Sequence, residues 1–112
     1  MTKITKKFDS SVIIYESEKE TMKETVVEAI KKGVSLSDSD LRGSDLSDSD
    51  LSNSNLSYSD LSDSDLSGSN LSGSDLSGSD FYHAKFYGRG GKTKIKKEQI
   101  ESFFEALGVI VE

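Results

Sequence analysis

A single spacing constrains this chain more than anything else in it. Leu36, Leu41, Leu46, Leu51, Leu56, Leu61, Leu66, Leu71 and Leu76 recur at a step of five residues, and Phe81 and Phe86 continue the series. Two places before each lies a serine, Ser39 through Ser79, with Val34 opening the series and Ala84 closing it. One place before lies aspartate, or Asn55 and Asn70, with Ser35 and Lys85 at the ends. Eleven units therefore run from Val34 to Gly88, half of a 112-residue chain. On an α-helix a step of five overshoots one turn by about 140°, so the leucines would spiral around the surface. On a straight strand an odd step sends successive leucines to opposite faces. A chain that turns one corner per unit buries them all, with successive coils stacked about 4.8 Å apart through backbone hydrogen bonds. Three or four sides per coil both satisfy the period. Proline is absent, which leaves backbone pairing uninterrupted and is uncharacteristic of a disordered linker.

The units SDLSD, SNLSG and SDLSG resemble the pentapeptide-repeat family, whose usual unit is Ala-Asp/Asn-Leu-x-x. The resemblance implies a mainly β fold, a right-handed quadrilateral β-helix (solenoid) with four units per coil. Eleven units then make just under three coils. Its structural core is the series Leu36 to Leu76 with Phe81 and Phe86, and the serines two places earlier also face inward. In SDLSDSDLS (59–67), Ser59, Leu61, Ser64 and Leu66 point in, and Asp60, Ser62, Asp63, Asp65 and Ser67 point out. Serine stands where alanine is usual. A buried hydroxyl needs a partner, so the inward Oγ atoms are expected to bond to turn backbone or to one another.

The flanks read as caps, since an open solenoid exposes core and unpaired backbone at both ends. Three domains follow: an N-terminal cap of hairpin and helix (1–33), the β-solenoid (34–88), and a basic loop with a capping helix (89–112). Residues 3–16 predict a hairpin around FDSS, with Val12 and Ile14 on one side and Ile13 and Tyr15 on the other. Ser17 with Glu20 reads as a capping box, starting a helix from Glu18 to Lys32. Met22, Val26 and Ile30 mark its apolar face, and Gly33 its end. Ile100, Phe103, Phe104 and Leu107 have helical spacing before Gly108, and Val-Ile-Val-Glu follows. That face is expected to cover the solenoid end and is also a candidate partner surface.

Catalysis finds little support, and no cofactor is expected. Cysteine is absent, and the only histidine, His83, lies just outside the core position Phe81. The segment GRGGKTK (88–94) lacks a phosphate loop's first glycine, because Phe86 stands there. It is basic, with Lys85, Arg89, Lys92, Lys94, Lys96 and Lys97, and suits either neutralisation of the acidic solenoid or an anionic partner. A net charge of −6 argues against nucleic acid as a direct ligand of the whole surface. With four units per coil, Asp40, Asp60 and Asp80 form one column, and Asp45 and Asp65 another that ends at Lys85. Such columns are weak candidates for Ca²⁺, which takes six to eight oxygens; corner capping by aspartate is the simpler expectation. No apolar run is long enough for a membrane span, and the N-terminus has no apolar core of a secretory signal, so a cytoplasmic location is expected. Two functions follow from the resemblance: an acidic scaffold or protein-interaction module with an unknown protein partner, or a DNA mimic that modulates DNA gyrase or topoisomerase. A monomer or weak homodimer is expected.

Overall fold

Each five-residue unit makes one corner, and the corner has a fixed hand. The Ser39 N–H donates to the Leu36 carbonyl at 3.3 Å, and the same bond recurs at Ser44, Ser59, Ser64, Ser69, Ser74, Ser79 and Ala84. The second residue after every core side chain from Leu36 to Phe81 has positive φ. Asp38, Asp48, Asn53, Tyr58, Asp63 and His83 lie between 55° and 63°, and Gly43, Gly68, Gly73 and Gly78 between 64° and 74°. A positive φ at the third of four turn residues is the type II pattern, which favours Gly and Asn there. Asp and His tolerate it better than most side chains, so the strained corner is Tyr58. Its ring lies over Gly78, where an added Cβ would sit 2.4 Å from it.

The structure, a computed structural model, describes residues 1–88 and 91–108. Between corners the walls are too short for regular strands, so the expected mainly β content is reduced to single bridges. Parallel bridges join Asp40 to Asp60, Asp45 to Asp65, Asp50 to Asn70, Asn55 to Asp75, Asp60 to Asp80 and Asp65 to Lys85. The chain thus returns to itself every twenty residues, four units per return. Each contact is a pair of backbone bonds. The Leu41 N–H donates to the Asp60 carbonyl at 2.8 Å, and the Asp60 N–H to the Ser39 carbonyl at 2.9 Å. Leu36 through Leu71 are fully buried, Leu76 and Phe81 nearly so, and Phe86 is half-buried at the far end. Burial of one such side chain contributes roughly 1.5–3 kcal/mol.

The inward serines satisfy themselves on the turns. Ser54, Ser59, Ser64, Ser69 and Ser74 each donate Oγ–H to the carbonyl three residues earlier, at 2.5–2.6 Å, and Ser49 does the same. Ser79 reaches the Leu56 carbonyl instead, at 2.6 Å. Ser39 Oγ, in the first coil, is buried without a partner among the described residues. Ser67 does not point to solvent as expected. It is fully buried beside Gly88, and its hydroxyl donates to Asp65 Oδ1 at 2.6 Å.

At the N-terminal end, β1 (Thr2–Lys6) and β2 (Asp9–Ser17) form the hairpin. The other edge of β1 caps the first coil: Lys6 bridges Ser39, and the Asp40 N–H donates to the Thr5 carbonyl at 2.8 Å. Helix α1 (Met22–Lys31) buries Val26 and Ala29 against the core, with Met22 and Ile30 half-buried. It starts four residues later than expected, because Ser17 is still paired in the strand with Thr2. Thr21 is the N-cap, and its hydroxyl accepts from the Glu24 N–H at 3.1 Å. At the other end Gly33, at φ 74°, donates to the Ile30 carbonyl and Val34 to that of Ala29, a Schellman pair.

The C-terminal end extends the ladder beyond the expected boundary at 88. Two short paired strands, β3 (Tyr87–Gly88) and β4 (Gly91–Lys92), come next, and then Lys94 bridges Asn70. Twenty-four residues separate that pair, against twenty elsewhere, so four residues have been inserted. Thr93, Lys94 and Ile95 occupy the Ser, Asp and Leu places of a twelfth unit, with Ile95 packed on the core. A turn of 3₁₀ helix (Lys97–Gln99) then leads into α2 (Ile100–Ala106). Gln99 is buried and plugs the open end. Its Nε2 donates to the Leu71 and Ser74 carbonyls at 2.8 and 2.9 Å, and its Oε1 accepts from the Gly73 and Lys96 N–H groups at 2.7 Å. Val109 to Glu112, with the expected Val-Ile-Val-Glu extension, lie outside the described residues.

Two stability outcomes are expected in urea denaturation. Asp48→Gly keeps or raises stability, by up to about 1 kcal/mol, whereas Asp48→Val lowers it by about 1–2 kcal/mol, because the corner demands positive φ. Gln99→Ala lowers stability by about 2 kcal/mol or more, since it strands backbone groups at the solenoid end.

Candidate functional site

The described surface offers three chemically distinct areas: acidic walls, an apolar stripe on α2 and a basic end. The acidic walls come from the residue before each core leucine. Asp45 Oδ1 accepts from the Ser47 N–H at 3.1 Å and its Oγ–H at 2.6 Å. Asp50, Asp60 and Asp65 repeat this pair of bonds with Ser52, Ser62 and Ser67. Asp75 repeats it with Ser77. The carboxylate therefore holds the start of each corner. Asn55 makes the same two bonds to Ser57, at 3.1 and 2.6 Å, and Asn70 accepts from the Ser72 N–H at 3.0 Å. The corner needs the side-chain oxygen, and a neutral amide can supply it.

Asp40, Asp60 and Asp80 do stack in one column, joined by the bridges. Asp40 is engaged by Arg42, whose Nε and a terminal nitrogen reach its two oxygens at 2.9 Å. The same guanidinium lies 4.0 Å from Asp60, and Asp80 accepts from the Tyr82 N–H at 2.9 Å. No group of three His, Cys, Asp or Glu side chains that could hold a metal ion exists among the described residues. His83 is exposed, 3.6 Å from Asp63 Oδ1 and stacked on Tyr82 at 3.9 Å between centroids.

The C-terminal apolar residues divide. Phe103 turns inward onto Phe81 and Phe86, with centroids at 5.7 and 5.3 Å, on the side that covers the end of the stack. The inward face of this end is the buried Gln99 with the half-buried Phe103 and Ala106. The helix is rotated because the Gln99 amide must reach the last coil. Ile100, Phe104 and Leu107 are left exposed as a stripe. Spacing alone pointed to four apolar positions, and the buried glutamine carried no apolar signal.

The family model for pentapeptide repeats matches eight copies, over residues 32–68 and 59–88. The chain belongs to the pentapeptide-repeat family. Among solved structures, this member of the family is similar to a trypsin-treated variant of QnrB1, described as a plasmid-mediated fluoroquinolone resistance protein. The identity is 19%, the match covers 65% of this chain and 42% of that one, and the TM-score is 0.34. No curated protein matches this pentapeptide-repeat chain.

Corner capping also sets a pH dependence. The Asp45, Asp50 and Asp65 carboxyls are held below the usual range, first by the hydroxyl and then by the N–H of the serine two residues on. Arg42 does the same for Asp40. A depressed folded pKa gives stability that is complete above the unfolded value and is lost as pH falls through the folded one. The melting temperature is therefore expected to hold steady from about pH 7 to about pH 5 and to fall below about pH 4. A melting temperature that rises on acidification would contradict the corner bonds.

Proposed function

We propose that the chain is a non-enzymatic scaffold, a right-handed four-sided β-helix whose acidic walls bind a basic surface on a protein partner. One observation carries this reading. Asn55 and Asn70 serve the corner as aspartate does, yet seven of these positions are Asp40, Asp45, Asp50, Asp60, Asp65, Asp75 and Asp80. A neutral amide can hold the corner, so charge at seven positions goes beyond what corner geometry demands and is available for recognition, where complementary potential gives specificity and fast association. Ile100, Phe104 and Leu107 supply an apolar margin to that surface.

The same substitution provides the test. Asp60→Asn, Asp65→Asn, Asp75→Asn and Asp80→Asn together keep the corner oxygens and remove four charges. The variant is expected to keep its circular dichroism and to lose partners captured by the wild type from a native lysate. Undiminished capture of the same partners would overturn the reading. A second reading draws on the regular columns: a DNA mimic acting on DNA gyrase or topoisomerase. It requires inhibition of gyrase supercoiling by the wild type and its loss in the four-asparagine variant. Absence of inhibition at high protein concentration rejects it.

A further inference from the structure

The five-residue register breaks once, and the break is basic. The inserted hairpin β3–β4 lies between Lys85 and Lys94 in the chain, outside the twenty-residue ladder. Tyr87 and Lys92 are paired across it, so their side chains leave the same face, and Tyr87 is 74% exposed. Lys85 tops the Asp45–Asp65 column, and Lys94 tops the Asp50–Asn70 column. Lys96 and Lys97 follow, and all five lysines are exposed. None of them takes part in an ion pair among the described residues. In the N-terminal cap Lys3, Lys23 and Lys32 are paired with Glu16, Asp45 and Glu28, while Lys6 and Lys19 are in no ion pair among the described residues. In repeat proteins insertions map to loops on one face, which is often the binding face.

We infer that Lys85, Lys92, Lys94 and Lys96, with Tyr87, form a docking surface for a short acidic segment of a protein partner. It is separate from the acidic walls proposed above. Charge complementarity sets the sign of the ligand, and the layout sets its size. Directly beneath Lys85 and Lys94, one coil down, lie Asp65 and Asn70, with Asp45 and Asp50 below those. Successive coils are about 5 Å apart, within the screening length at physiological salt. A nucleic-acid strand that extended down the rod would meet those carboxylates. A few acidic residues lying around the end of the rod would not. The Tyr87 ring offers such a segment an apolar contact beside the Lys92 ammonium.

Fluorescein-labelled hexaglutamate is the probe, titrated with the full chain and read by anisotropy. Binding is expected at about 20 mM salt and is expected to weaken at least about tenfold at about 200 mM. Lys92→Gln with Lys94→Gln should weaken it at least about fivefold, and Lys85→Gln with Lys96→Gln similarly, with melting temperatures unchanged. Lys6→Gln with Lys19→Gln removes the same charge from the N-terminal cap and should leave binding within about twofold of wild type. No binding at low salt overturns the inference, as does an equal loss in the Lys6/Lys19 control. Tighter binding of labelled hexathymidylate than of hexaglutamate also overturns it and assigns the surface to nucleic acid.

Discussion

The backbone bond between residues twenty apart is the interaction on which everything else here depends. A segment that buries one leucine in five has little hydrophobic driving force per residue, and its backbone must be satisfied almost entirely by itself. The ladder does this at every wall, with the Leu N–H bonded one coil up and the Asp N–H one coil down. The leucines then meet only because the ladder stacks them. The corners keep the ladder in register, and positive φ at each corner keeps the walls of equal length. The ends are where the scheme fails, and each end is repaired by borrowed polar groups. The Thr5 carbonyl stands in below, and the Gln99 amide above.

The parts of this arrangement that repeat were legible in the sequence. The period alone places Leu36 to Phe81 in the core, because no straight element buries a step of five. The capping role of the aspartates and the turn bonds of the inward serines also follow from residue chemistry. What could not be read were single events. The positive φ at the third turn position is written as Asp, Gly, Asn, Tyr and His, a mixture that looks like an unconstrained surface until the backbone is known. Ser17 reads as an N-cap with Glu20, and only its pairing with Thr2 in the strand shows why the helix starts after Thr21 instead. The twelfth unit was hidden because four inserted residues move Ile95 out of step. Gln99 was hidden because a buried polar plug leaves no periodic trace.

Charge is divided along the rod in a way that composition averages out. The lower walls are acidic and partly neutralised by α1, through Lys23 beside Asp45. The last coil exchanges aspartate for Lys85 and Lys94 in two of its four columns. Stacked carboxylates about 5 Å apart repel modestly in water, so a lysine at the top of a column relieves the repulsion as well as changing the sign of the surface. Two surfaces of opposite sign thus lie on one small rod.

The inserted hairpin has one more consequence, for how such a chain can change length. Because the caps dock on particular walls, the number of units between them fixes the angle between the two ends. Removing one unit would turn the C-terminal helix by a quarter turn relative to the N-terminal hairpin and bring Gln99 against a wall it does not fit. Removing or adding four units would change the height and leave the angle alone. Twelve units make three returns of four, and the insertion adds an extra loop without disturbing that count, as a landing can be widened without moving the stairs.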